Sequence, residues 1–407
     1  MPRTNILGVW LHGRRLGELE KLRSGDVRLR FDPEVVNEFG TGTHLMSISL
    51  PLGTKRVQGE KLKLFIRGLL PEPPVRALIE TREKVPFDDD FALLRVIGSE
   101  CAGALQFLPD TEEPGPGILR PLSTEEVDHI VSDLPTLDSP DGLPVGASLG
   151  GVQAKVLLTR TKDGWAWPAF GAMSTHLIKP APQNGSGPPG LLEAEWWSGA
   201  LARHVGLRAA ASELKQFGER TSLVVERYDR HDGGRFHQED FTQALSLRPS
   251  DKYELGTTTP GRLQRIAALA GPLSDDESAF LLDLLRAVAF NAIIGNSDAH
   301  SKNYSLLISS SGSVSLAPLY DVAPVMLMDS NYRFAGHAVD GQTRLAFVTR
   351  DHLVREAVRW GVSAIEAGDT ITSLATAVAD WAESISTLRE LGDTPSRVAM
   401  RARIFAA

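Results

Sequence analysis

A chain of 407 residues is too long for one ordinary hydrophobic core, so two or three domains are expected. With 42% hydrophobic and 23% charged residues it reads as a soluble globular protein, and a net charge of −8 argues against a general affinity for nucleic acid, leaving room only for a local basic patch. The single Cys101 rules out an intrachain disulfide and a CxxC metal site, and its Ser-Glu-Cys-Ala-Gly setting reads as packing rather than as a nucleophile.

His12, Arg14 and Arg15 interrupt the first apolar stretch, so no signal peptide is expected. Residues Leu7 to Arg14 read as a strand running into a turn, and Val27 to Phe31 alternates as a strand does. Leu62 to Leu70, Pro74 to Glu80 and Phe91 to Gly98 read as helices. A Pro-, Glu- and Gly-rich linker from Pro109 to Pro121 closes this first α+β unit, which carries nothing resembling a catalytic group.

The next unit opens with Ser148-Leu-Gly-Gly-Val-Gln-Ala-Lys155 and a hairpin turning at Lys162-Asp-Gly164. A strand from Ser174 ends on Lys179, and Leu191 to Val205 is a helix carrying Glu195 and closed by Gly206. Ser222 to Arg230 is a buried-type strand running into a charged segment. Beyond Phe241 the pattern is mostly helical: Arg262 to Ala270, Asp276 to Gly295, His352 to Trp360 and Thr370 to Leu391. Phe280 to Gly295 is the best membrane candidate, but it contains Asp283 and Arg286 and is too short to span; a cytoplasmic protein is expected.

The turn Gly295-Asn-Ser-Asp-Ala-His-Ser-Lys-Asn303 supplies a carboxylate, an imidazole, an ammonium and an amide within six residues. Asp298 and Asn303 stand five apart, the separation between a catalytic-loop Asp and a metal-binding Asn in phosphoryl-transfer enzymes. Each feature also has a plainer reading. Gly150 and Gly151 suit a turn, Lys179 an exposed strand end, Glu195 a solvated helix face, Asp321 a cap, and His300 and Lys302 the surface. The order is what points to phosphoryl transfer. A Gly loop able to approach phosphates precedes a strand ending in Lys, a helix with Glu, a hinge, and an Asp-containing loop. The Gly loop is not a Walker loop, since no Gly-Lys-Ser/Thr follows.

Motifs along nearly the whole length resemble the HipA family, serine/threonine-kinase toxins of bacterial type II toxin–antitoxin modules. They include Phe65 to Glu72, Cys101 to Gln106, Ser148 to Lys155, Val225 to Arg230, Gln238 to Leu245, Lys252 to Glu254, Asn296 to Asn303, and Leu319 to Val322. The Asp-Ala-His-Ser-Lys-Asn spacing is also similar to that of lipid kinases, which share a distant kinase fold.

The resemblance implies ATP and Mg²⁺ as cofactors. Asp298 would be the general base and His300 would lie near the transferring group. Asn303 and Asp321 would hold Mg²⁺, and Lys179 would contact the α- and β-phosphates, while Gly150, Gly151, Val152 and Lys155 would cover them. Glu226 and Tyr228 would form the adenine hinge, with Gln243 and Tyr320 as further nucleotide contacts and Ser148 as a self-phosphorylated serine. Gly150 stands where Pro or Ala is expected and Tyr228 where Phe is usual; neither change removes a group the chemistry needs.

The expectation is therefore an α+β, protein-kinase-like two-lobed fold: an N-terminal α+β subdomain (1–130), a β-rich nucleotide lobe (131–240) and an all-helical C-terminal lobe (241–407). The resemblance further implies growth arrest and persistence by phosphorylation of a translation-related protein such as an aminoacyl-tRNA synthetase. It also implies a small helix-turn-helix antitoxin (HipB-like) as partner, through which DNA is mainly reached. The alternatives are a small-molecule or lipid-type kinase using the same Asp and Asn, and a weakly catalytic scaffold or co-repressor.

Overall fold

A computed structural model describes residues 5–136, 139–143, 154–182, 187–256, 258–385 and 388–407. Near the N-terminus, β1 (Ile6–Leu11), β2 (Arg14–Lys21) and β3 (Val27–Phe31) form an antiparallel meander, followed by α1 (Pro33–Phe39), β4 (Val57–Gln58), α2 (Glu60–Leu69), α3 (Val75–Arg82), α4 (Asp90–Ile97) and β5 (Leu105–Pro109). The sheet order is β4-β3-β2-β1-β5. Leu7, Val9 and Leu11, two apart, fall on one face and bury against Phe65 and Ile66 of α2 and Leu93 and Leu94 of α4. The Cys101 thiol lies in this core, and burial pushes it up to about 12, which suits a packing residue and not a nucleophile.

The second unit contains β6 (Ile118–Leu122), α5 (Thr124–Asp133), β7 (Val156–Thr161), β8 (Gly164–Ala169), β9 (His176–Pro180), α6 (Leu191–His204), β10 (Ser212–Phe217) and β11 (Arg220–Glu226). Its six strands run in the order β10-β11-β9-β7-β8-β6. The expected linker Pro109 to Pro121 thus ends inside a strand. β6 pairs with β8, and Pro121 is accommodated because β6 is an edge strand. Ser123 and Glu126 form a capping box that starts α5, a helix too short and polar to read from its pattern.

The remainder comprises β12 (Arg230–His231), β13 (Gly234–Arg235), β14 (His237–Asp240), α7 (Phe241–Ala244), α8 (Arg262–Ala270), α9 (Glu277–Ile294), β15 (Ser305–Ile308), β16 (Val314–Leu316), α10 (Val325–Met328), β17 (Phe334–Val339), β18 (Gln342–Arg344), α11 (Arg350–Arg359), α12 (Ala364–Trp381) and α13 (Thr394–Ala406). This lobe is helical at its centre, where α9 is packed by α11, α12 and α13. Helices alone do not describe it: a β14-β15-β16 sheet and a β17-β18 hairpin border the core. Strands of two to six residues carry too little alternation to announce themselves.

The units are locked together by buried charge. Glu100, fully buried, accepts from Arg227 and Arg230 at 3.1 Å and from Arg235 at 2.6 Å. Asp229 balances Arg227 at 2.8 Å and Arg230 at 3.0 Å, and also accepts from the Gly103 N–H at 2.7 Å. Each of these charges is both paired and hydrogen-bonded, the condition under which burial is tolerated.

Candidate active site

From Ala287 to Ile294 helix α9 carries Asn291 as its one polar side chain and is buried all round. Gly295, at φ 82°, ends it in the left-handed conformation that releases the chain into the polar turn. That turn is fixed from the helix: Asn291 Oδ1 accepts from Asn296 Nδ2 at 2.8 Å, and Asn296 Oδ1 accepts from the Asp298 N–H at 3.1 Å. Asn291 Nδ2 in turn donates to Tyr304 Oη at 2.9 Å, just where β15 begins. Asn303 Nδ2 donates to the Asp298 carbonyl at 2.9 Å, so the five-residue spacing closes the turn on itself. With its nitrogen so used, Asn303 keeps Oδ1 as the atom available to a cation.

On the opposite wall, alternation along β9 sends Ile178 into the sheet core and leaves Leu177 and Lys179 on the cavity. Lys179 Nζ lies 2.7 Å from Glu195 Oε1 on α6 and also donates to Asp321. Asp321 is held in place by a parallel bridge between Ala209 and Leu319, with Ala210 N donating to Leu319 O at 2.8 Å. Its own φ of 56° lies in the left-handed region, where Asp is tolerated better than most residues. A strained backbone at a charged residue facing a cavity is a mark of function more than of folding.

These walls enclose about 840 Å³, within the range of small-molecule sites. One part is apolar, lined by Leu177, Ala210, Val225, Tyr228 and Tyr320. The other holds Lys155, Lys179, Asp298, Asn303 and Asp321. An apolar part beside a charged one matches a nucleotide, whose base and triphosphate make those opposite demands.

The electrostatics are those of a closed charge set. Burial would lower Lys179, but Asp321 and Glu195 outweigh it and raise it above the usual lysine range. Burial would raise Asp321, yet Lys179 and Lys155 hold it well below the usual carboxylate range. The Asp321 side chain is 40% exposed where it borders the cavity, and the protein packed around it still lets burial bear on it. Burial pushes Glu195 up to about 7 and brings Lys155, aided by the charge of Lys179, down to about 8. Asp298 is raised by burial, against the opposing hydrogen bond from Tyr253. Burial, with Lys252 nearby, lowers His300 to about 3, so its imidazole is neutral at pH 7. Its Nδ1 is buried with no hydrogen-bond partner among the described residues.

The residues singled out in the sequence therefore converge. Lys155, Lys179, Glu195, Asp298, His300, Asn303 and Asp321 all border this cavity, as do Glu226, Tyr228 and Tyr320. Tyr228 and Tyr320 stack at 5.6 Å, and Tyr320 Oη donates to the Lys302 carbonyl at 2.8 Å. Gln243 also borders it, but its side chain is committed to structure. It caps α7 through the Asp240 N–H at 3.0 Å and donates to Phe65 O at 3.3 Å on α2. Lys302 is no surface residue: it is buried and pairs with Asp240 at 2.8 Å. Ser148, Gly150, Gly151 and Val152 lie outside the described residues.

Sequence reading missed several members. Gln238 accepts from the Tyr228 hydroxyl and donates to Asp229 at 3.0 Å. Tyr253 donates to Asp298. Glu72, from the unit that seemed to lack chemistry, pairs with Lys252 at 3.1 Å at the cavity rim. The only available signal was the presence of Gln238, Tyr253 and Glu72 within quoted motifs.

Two family models match the chain: the HipA N-terminal domain over residues 7–108 and the HipA-like C-terminal domain over residues 147–382. The protein Y4mE of Sinorhizobium fredii is 36% identical, over 78% of this chain and 76% of that protein. The serine/threonine-protein kinase toxin HipA of Shewanella oneidensis is 30% identical, over 73% of this chain and 70% of its own. Among solved structures, a chain from the Shewanella oneidensis complex of HipA, HipB and operator DNA superposes with a TM-score of 0.81. That superposition covers 98% of this chain and 96% of the other at 24% identity, and it establishes the two-lobed kinase-like fold. The chain belongs to the HipA family, and with that membership goes its enzyme class, a serine/threonine-protein kinase.

Proposed function

We propose that the chain transfers the γ-phosphoryl group of ATP to serine or threonine hydroxyls of a protein, with Mg²⁺, as the toxin of a type II toxin–antitoxin pair. The observation that carries this reading is the joining of Lys179 to both Glu195 and Asp321 across the cavity from the Asp298–Asn303 turn. Phosphoryl transfer asks a protein mainly for position and charge. Lys179 supplies the fixed cation for the phosphates, and α6 holds it in place through Glu195. Asp321 and Asn303 Oδ1 would be the oxygen donors that hold Mg²⁺, a hard ion suited to carboxylate and amide oxygen. Held there, the ion would supply positive charge against the phosphates. Asp298 takes the proton of the acceptor hydroxyl as its oxygen bonds to the γ-phosphorus and the bond to the ADP oxygen breaks.

The residue limits 1–130, 131–240 and 241–407 are our division into N-terminal unit, nucleotide lobe and C-terminal lobe. Family membership supports a small HipB-like helix-turn-helix protein as the antitoxin. The net charge of −8 favours reaching operator DNA mainly through it. A translation-related protein, an aminoacyl-tRNA synthetase for example, is the proposed target, and growth arrest with persistence the outcome. No described helix is long and apolar enough to cross a membrane, which fits the proposed cytoplasmic site of action. Phosphorylation of Ser148 by the chain itself would add about −1.5 to −2 charges to the Gly loop that the family resemblance assigns to the phosphates, and would weaken ATP binding, a self-inactivation.

The test is the fate of labelled γ-phosphate. Incubated with Mg·ATP and a cell extract, the chain should label protein serine or threonine and leave lipids and small metabolites unlabelled. Label confined to lipids or metabolites would replace the protein-kinase reading with the small-molecule one, and no transfer at all would leave the scaffold reading. Intact-mass and peptide analysis of the same sample should find phosphate on Ser148.

A further inference from the structure

Asp298 does not face the cavity alone. The hydroxyl of Tyr253 donates to Asp298 Oδ1, from a position 45 residues earlier in the chain. The Tyr253 ring meets the His300 imidazole edge-on, with centroids 4.8 Å apart and planes at 86°. One ring thus touches both polar side chains of the Asp-Ala-His run.

The backbone around Tyr253 is pinned on both sides. Before it, Lys252 O accepts from Ser301 N at 3.0 Å and from Arg262 Nη1 at 3.1 Å, while Lys252 Nζ pairs with Glu72. After it, Glu254 N donates to Gly336 O at 2.9 Å. The Glu254 carboxylate accepts from Thr258 at 2.7 Å, Arg262 N at 3.2 Å and Ala338 N at 3.1 Å. Glu254 is nearly fully buried, so these bonds fix the segment firmly. A tyrosine anchored this way has its hydroxyl in a set place, independent of any ligand.

Resting on the kinase reading above, we propose that Tyr253 is a positioning residue for the base: its hydroxyl holds Asp298 by Oδ1 so that Oδ2 faces the acceptor hydroxyl. During transfer the acceptor proton passes to Oδ2, the acceptor oxygen bonds to the γ-phosphorus, and the bond from that phosphorus to ADP breaks. Tyr253 keeps its own proton throughout. An unheld carboxylate would sample several rotamers, few of them competent.

The experiment uses the full chain, Mg·ATP, and casein or the chain itself as acceptor. Tyr253→Phe should lower kcat about 10- to 100-fold, the scale of a misplaced catalytic group, while KM for casein and the calorimetric Kd for Mg·ATP stay unchanged. In an Asp298→Ala background the same substitution should change nothing further, because the group it acts through is gone. Fluorotyrosines at 253, which keep the ring and grade the acidity of the hydroxyl, should change kcat in a graded way; they decide the matter should the Phe variant fail to fold. An equal loss in both backgrounds, a flat fluorotyrosine series, or a faster Phe variant would each overturn the proposal and leave the kinase reading intact. Absence of transfer by the parent chain would overturn both.

Discussion

Lys179 and Asp321 stand 142 residues apart in the chain and form an ion pair across the cavity, on a lysine also bonded to Glu195 at 2.7 Å. One ammonium therefore pairs with two carboxylates at once. Lys179→Met removes the cation and leaves two acids facing each other. A fully buried pair broken this way costs ~3–5 kcal/mol; with Asp321 open to the cavity the loss should be smaller, yet visible as a lower Tm. Mg·ATP affinity should fall with it, and calorimetry and thermal melts on one preparation check both.

Metal binding separates the two oxygen donors. Asp321→Asn keeps the shape and tolerates the positive φ while removing the charge, and should weaken Mg·ATP binding more than Asn303→Ala does. Titration of ATP with and without Mg²⁺ reads the difference. Equal, unaltered binding by both variants would mean that the ion is held elsewhere.

A contact between backbones sets the next prediction. A Cβ on Gly336 would stand 2.2 Å from Ala299 O and 2.5 Å from His300 N, and no flexible side chain lies between to give way. Gly336→Ala should therefore fold while pushing Asp298 and His300 out of place. Displacement of about 1 Å can cost ~10²-fold in rate, and a steady-state assay beside a melt would show activity falling much more than stability.

Much of this site was legible because its parts are local. The apolar run of α9, the Gly295 stop and the Asp298–Asn303 spacing lie within one stretch, and α8 occupies the residues that its periodicity marked. The Lys179–Glu195 pair replaces the plainer reading of an exposed strand end and a solvated helix face, because the sheet and α6 close over both side chains. What escaped depends on topology. Tyr253 and Gly336 act on the Asp298 turn from elsewhere in the chain, and Glu72 and Glu100 reach the catalytic half from the N-terminal unit. Periodicity reports which face of an element is buried, and says nothing of which distant element covers it.

Glu239 offers a test of pH dependence on a group that has no assigned part in the reaction. Its carboxylate is buried and accepts from Ser47 Oγ at 2.6 Å and Ile48 N at 2.7 Å, joining the C-terminal half to the N-terminal unit. Burial outweighs those bonds and pushes it from 4.5 up to about 8. The folded chain thus holds a proton that the unfolded chain releases. The stabilisation is complete below pH about 4.5 and is lost as pH rises through about 8. Glu239→Gln, with its carbonyl toward Ile48 N and its amide toward Ser47 Oγ, should flatten the fall in Tm between those limits. An unchanged slope would assign that fall to other groups.

The central claim is that Asp298 is the base of a protein kinase, and the most direct measurement is transfer of labelled γ-phosphate to protein by Asp298→Asn beside the parent chain. The amide keeps the size of the side chain and can still accept from Tyr253. Folding and Mg·ATP binding should persist, transfer should fall by ~10²–10⁴-fold, and expression of the variant should no longer arrest growth. Turnover by Asp298→Asn at the parent's rate would contradict the account.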